Sequence, residues 1–276
     1  MAYPGLMKGA PPSIIDFYGR VDGKDAHGRT LEQILNWNDT KLERCHDYIQ
    51  ILFPLPEGSM FSYDAPIIDL KTLEAFRSDV GLRFRMAAAF VRMLSFYGFE
   101  AELEVPGSAA QREPEQTQAD EIEQDQRLGT GSGKGKAKIE VKADESNEAA
   151  VDCSRGLGGS SSYSSVSEKD HNIFFETHIA RGDNFEQAAK NWAVRMDHNH
   201  LRITRILRCL RVLGLQKQCE AFYNALKDVY NDPKYKIGER SMMFWERAVR
   251  QPLHIAPDGT MVHWLLNWVE KEQTQD

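Results

Sequence analysis

The chain has 276 residues, 27% of them charged and 41% hydrophobic, with a formal net charge of −7. Its length corresponds to one large domain or two small ones, enough to build a core without disulfides or metals. The mild acidity excludes a protein that coats nucleic acid through bulk charge, because such domains run strongly basic.

In chain order, MAYPGLMKGAPPS (residues 1–13) has no basic start and no apolar run, which predicts a flexible tail and no secretory leader. Thr30 can cap a short helix, LEQILNW. The segment TKLERCHDYIQILF then reads as one helix, with Leu42, Cys45, His46, Ile49, Leu52 and Phe53 on a single stripe and Pro54 as its stop. Asp69 can cap LKTLEAFRS, and a second helix through LRFRMAAAFVRMLSFY closes at Gly98.

Composition changes at residue 101. Residues 101–170 hold eight Lys/Arg and fifteen Asp/Glu, which is the whole of the net charge, and Tyr163 is their one aromatic. Such a stretch buries too little apolar surface to offset its ordering entropy, so it is expected to be a disordered acidic, Ser- and Gly-rich insertion. A domain carries a long insertion at little loop-closure cost.

Beyond it, NFEQAAKNWAVRM predicts a helix. LRITRILRCLRVLG predicts an amphipathic one, with Ile203, Ile206, Leu207, Leu210 and Leu213 opposite Arg202, Arg205, Arg208 and Arg211. QKQCEAFYNALKDVYN runs up to Pro233, and SMMFWERAVR and TMVHWLLNWVE are the last two helices. No alternating strands closed by hairpin turns are found, so a sheet is not expected. The expectation is a single all-α domain over 14–270, about eight helices in number, with 101–170 as its disordered interruption and 1–13 and 271–276 as flexible termini. No stretch reaches the roughly 18 apolar residues of a membrane span. Cys45, Cys153, Cys209 and Cys219 show neither a CxxC pair nor zinc-ligand spacing, which predicts reduced thiols in an intracellular protein.

Four polar residues, Glu43, His46, Asp47 and Gln50, recur at helical spacing and would form a row beside the buried stripe. Either the row lines a ligand groove, with His46 and Glu43 able to exchange protons, or it is a buried network in which Glu43 pairs with Arg202 or Arg205. The arginine row is expected on a solvated helix face, where it could grip phosphate or an acidic peptide; the acidic insertion folding back onto it is a third account. His198 and His200 of the HNH string fall on different faces of a helix, so no metal is expected there, and Asn199 or Asp197 serves as a cap. GTGSGKGK fails the phosphate-loop spacing: residue 128 is Leu, and Lys134 is followed by Gly. The tryptophans at 37, 192, 245, 264 and 268 are expected in the core.

Several strings together carry a family resemblance: Trp37-Asn38-Asp39, LERCHDYIQILFP from Leu42 to Pro54, MLSFYG from Met93 to Gly98, HNHLRITRIL from His198 to Leu207, and Leu213-Gly214-Leu215. They resemble the conserved region of the opioid growth factor receptor family, across about 25–100 and 185–215. The chain departs from the family's animal members in its acidic insertion and in ending soon after the last helix. The resemblance implies an all-helical intracellular protein of the nucleus or cytoplasm, peripheral to membranes, that receives a methionine-enkephalin-type peptide. Trp37, Glu43, His46, Asp47, Gln50, Asn199, Arg202 and Arg205 are the expected ligand- or partner-binding residues, with Glu43, His46, Gln50 and Arg205 matching family positions. Two other functions fit the same residues. One is an enzyme with His46 as base and Glu43 as its orienting partner. The other is a nucleic-acid or chromatin adaptor working through Arg202–Arg211. No cofactor and no metal are expected.

Overall fold

Side-chain caps start most of the helices in the first half of the chain. In the computed structural model, which describes residues 13–58, 65–103 and 177–274, Ser13 accepts from the Asp16 amide to open α1 (Ile14–Gly19). Thr30 and Gln33 form a reciprocal capping box on α2 (Leu31–Leu35). Asn38 caps α3 (Asp39–Arg44), and α4 (Tyr48–Leu52) ends before Pro54. Asp69 caps α5 (Leu70–Ser78), and Asp79 takes two amides at the head of α6 (Val80–Phe96). After α7 (Phe185–Ala189) come α8 (Asn199–Val212), α9 (Gln216–Asn231), α10 (Glu239–Arg250) and α11 (His263–Gln273). The fold is mostly helical, as expected, and the described residues belong to one compact unit. Residues 104–176, and with them the expectation of disorder in the acidic insertion, lie outside the described residues.

The structure corrects several expectations. The helix expected from Thr40 to Phe53 is two helices, because Cys45 is extended (φ −85°, ψ 138°). The Arg202 guanidinium accounts for the break. It donates to the carbonyls of Glu43 (3.2 Å) and Cys45 (2.9 Å), which a continuous helix would have given to amides four residues on. The helix expected over 184–196 stops at Ala189, and α11 runs through residues assigned to the flexible tail.

A two-stranded antiparallel sheet also stands where none was expected. β1 (Phe99–Leu103) pairs with β2 (Thr177–Arg181), with Phe99 opposite Arg181, so residues 101–103 belong to the ordered fold and not to the insertion. Phe99 and Ile179 turn into the core while Glu100 and His178 face out. Gly98, with a φ of +84°, turns the chain from α6 into β1, and its carbonyl accepts from the Gly182 amide at 2.9 Å.

The core joins the segments on either side of the insertion. Tyr48, Leu52, Phe53, Phe76, Met86, Phe90 and Met93 from the first half pack with Ile203, Ile206, Leu207, Leu210, Phe222 and Leu226 from the second. Of the five tryptophans, Trp192 and Trp245 are core; Trp37, Trp264 and Trp268 are half-buried at its edge.

The arginine row is not a solvated face. Arg202 and Arg208 are only 5% and 1% exposed. Arg205 donates to the Phe53 carbonyl (3.1 Å), and burial lowers its pKa. Arg208 donates to the Leu253 carbonyl (2.7 Å) and pairs with Glu57 (3.4 Å). Arg211 reaches the Ala248 and Gln251 carbonyls at the end of α10. The row is a ladder of clamps, each rung a charged donor satisfying carbonyls of another element, so it offers no free face to a polyanion.

Candidate functional site

The residues expected at the site fall into three places. Glu43, His46, Asn199 and Arg202 meet where the α3–α4 break faces the start of α8. The Asn199 amide group donates to the Glu43 carboxylate (3.2 Å), and Arg202 approaches it at 3.7 Å. Arg202 also donates to Asn199 Oδ1 (3.1 Å) and to His46 Nδ1 (3.1 Å). That last contact takes up the Nδ1 lone pair of an otherwise exposed ring. Glu43 therefore pairs with Arg202 and not with Arg205.

Asp47 leaves this group. The break in the helix turns it toward Arg29 (2.8 Å) and His27 (3.4 Å), and Arg29 also holds Asp25 at 2.6 Å. Desolvation raises the Asp47 pKa, but the hydrogen bond and charge of Arg29 outweigh that and hold the carboxyl below its ordinary range. Trp37 stands beside this cluster, with the Lys41 ammonium 4.0 Å and the Arg29 guanidinium 5.3 Å from its ring centre. Gln50 is buried on α4, and Arg205 of α8 donates to the Phe53 carbonyl just past that helix.

Two residues not among the expected binding residues complete the Glu43 cluster. His198 puts Nε2 3.1 Å from Glu43 and Nδ1 3.4 Å from Asp197, and its ring meets His46 edge to face at 5.5 Å. Tyr48 lies beneath the Arg202 guanidinium at 5.7 Å. Among the described residues, no group of three His, Cys, Asp or Glu side chains could hold a metal ion.

His198 is also the rim of an open groove of about 1560 Å³. One wall is the chain from Arg195 into the first turn of α8; the other is the chain from Tyr235 into α10. Gly238 lets the walls close at one end, because a Cβ there would sit 2.7 Å from the Arg195 carbonyl oxygen. Met196 (81% exposed) and Leu201 (60%) lie open beside Tyr230, Tyr235 and Phe244. Asp197 and Glu239 contribute negative charge; Arg195, Lys236 and Arg240 contribute positive charge.

In the floor, His200 Nε2 lies 2.7 Å from the Trp192 carbonyl and Nδ1 lies 2.7 Å from the Ser241 hydroxyl. Burial lowers the His200 pKa, against the opposing pull of the Trp192 carbonyl and Asp197.

None of the eight expected binding residues lines this groove. One signal for it was present in the sequence: Leu201 interrupts the arginine side of α8 with an apolar residue that had no core to face.

A family model described as the opioid growth factor receptor (OGFr) conserved region matches residues 13–126 and 173–252. The opioid growth factor receptor of Rattus norvegicus is 41% identical over 91 residues, which is 32% of this chain and 16% of that protein. That of Mus musculus is 40% identical over 91 residues, 32% and 14% respectively. That of Homo sapiens is 36% identical over 107 residues, 36% and 16% respectively. The chain thus spans a small part of the length of the curated relatives it matches. No solved structure matches.

Proposed function

This chain belongs to the opioid growth factor receptor family, and on that premise we propose that it binds a short enkephalin-type peptide in the groove between α8 and α10. The observation that carries the reading is the exposed Met196 and Leu201 beside Tyr230, Tyr235 and Phe244 in an open groove. Water leaves such apolar surface favourably when a partner covers it, and contiguous exposed patches of this kind mark binding sites. Carboxylates at Asp197 and Glu239 and cations at Arg195, Lys236 and Arg240 are suited to a peptide's ammonium and carboxylate termini. The relatives it matches are named receptors of an opioid growth factor, which supports a ligand-binding role.

The Glu43–Arg202–His198 cluster supports the groove from behind by fixing the first turn of α8. The reading places the chain inside the cell, in the nucleus or cytoplasm and peripheral to membranes; among the described residues no helix is long and apolar enough to cross one.

Calorimetric titration of the full chain with methionine-enkephalin should give saturable heat. Leu201→Asp and Phe244→Ala should each weaken binding about tenfold, or about 1.4 kcal/mol. No heat with the folded chain, or unchanged affinity in both folded variants, would refute the reading.

A further inference from the structure

The floor of the groove contains a serine hydroxyl and an imidazole in hydrogen-bond contact. Ser241 is the third residue of α10, and its hydroxyl oxygen is 2.7 Å from His200 Nδ1. The other ring nitrogen fixes the proton positions. The Trp192 carbonyl can only accept, so His200 Nε2 must carry a hydrogen for the 2.7 Å contact to be a bond. In the neutral ring Nδ1 then holds a lone pair, and the Ser241 hydroxyl donates to it. Burial disfavours the imidazolium and keeps this base form.

The surroundings add what a nucleophile needs. Trp245 meets the His200 ring edge to face at 5.3 Å and locks its orientation. Gly238 supplies no side-chain acceptor to the start of α10, and its carbonyl accepts from the Ser241 amide at 3.0 Å, which fixes the turn that carries the hydroxyl at the groove wall.

We propose that Ser241 is an acyl-accepting nucleophile, with His200 as its general base and the Trp192 carbonyl as the group that orients the imidazole, acting on esters of small apolar carboxylic acids. The Ser241 oxygen bonds to the ester carbonyl carbon while its proton passes to His200 Nδ1. The bond to the alcohol oxygen breaks, and the leaving alkoxide takes that proton; where the alcohol is acidic it departs as the phenolate and His200 gives the proton to solvent. Water then attacks the acyl-serine with His200 again as base, releasing the carboxylic acid and restoring the hydroxyl. Met196, Leu201 and Phe244 offer apolar surface to the acyl chain. The inference stands on this pair's geometry and does not depend on a peptide occupying the groove.

The test uses the full chain with a fluorophosphonate probe and with p-nitrophenyl butyrate, read by intact mass, peptide mapping and p-nitrophenolate release. The expected result is one phosphonyl adduct per chain, mapped to Ser241, with fluoride displaced. Ser241→Ala should remove both the adduct and the esterase rate while its circular dichroism stays native. His200→Gln, which removes the base, should slow labelling on the order of 100-fold. Because His200 is buried, that variant is compared only if it is folded; Ser241→Ala decides the matter without it. A folded parent chain that takes no adduct, or an adduct that persists in Ser241→Ala, overturns the proposal.

Discussion

Replacing Arg202 with alanine is expected to lower the stability of the fold by roughly 3–5 kcal/mol, the cost of leaving a buried charge network without one partner. The side chain is 5% exposed and donates to two carbonyls, one amide oxygen and one imidazole nitrogen. Alanine would strand the Glu43 and Cys45 carbonyls at the break between α3 and α4 and leave the Glu43 carboxylate with Asn199 and His198 but without its arginine. Arg202→Lys should recover part of the loss, since one ammonium cannot span the acceptors a planar guanidinium reaches. Asp47→Ala, which removes a half-exposed pair with Arg29, should cost about 1 kcal/mol or less. Urea unfolding midpoints at constant m-value rank the three. A loss below about 1 kcal/mol for Arg202→Ala would make it an ordinary surface bridge.

Gly98→Ala should be comparably damaging for a different reason. The residue has a φ of +84°, which costs a side-chain-bearing residue roughly 1–2 kcal/mol. A Cβ there would also lie 2.7 Å from the Phe185 Cα and 2.9 Å from the Ala188 Cβ, and forcing such overlap costs about 1–3 kcal/mol more. Gly28 separates the two effects. Its φ is +78°, but a Cβ there meets nothing within 4 Å, so Gly28→Ala reports the backbone cost alone. Thermal unfolding of both variants should show Gly98→Ala clearly the less stable. Equal losses would mean that α7 moves aside without cost.

The helices that were legible in the sequence carry their own punctuation. Asp69 opens α5, Gly98 closes α6, Gly214 follows α8 with a φ of +89°, and Pro233 stands just past α9. What was not legible depends on partners far along the chain. No glycine or proline marks the break at Cys45; it is held by Arg202, 157 residues away. β1 and β2 are five residues each and pair across the insertion, so neither shows enough alternation to stand out. The arginines of α8 match the period of an exposed face, and periodicity reports polarity without reporting whether another element covers it. Four of the six residues of the Glu43 cluster could be named in advance, because a Glu–Arg bridge was one of its two readings. Of the groove only Leu201 gave a sign, since its walls are loop ends and first turns with no period of their own. Its floor pairs His200 with a serine 41 residues on.

Hydrogen exchange of the full chain, with and without saturating methionine-enkephalin, tests the placement of the binding site most directly. The account predicts slower exchange in peptides covering 195–204 and 235–244, with little change over 43–50. Protection centred on 43–50 while the two groove walls exchange as before would contradict it.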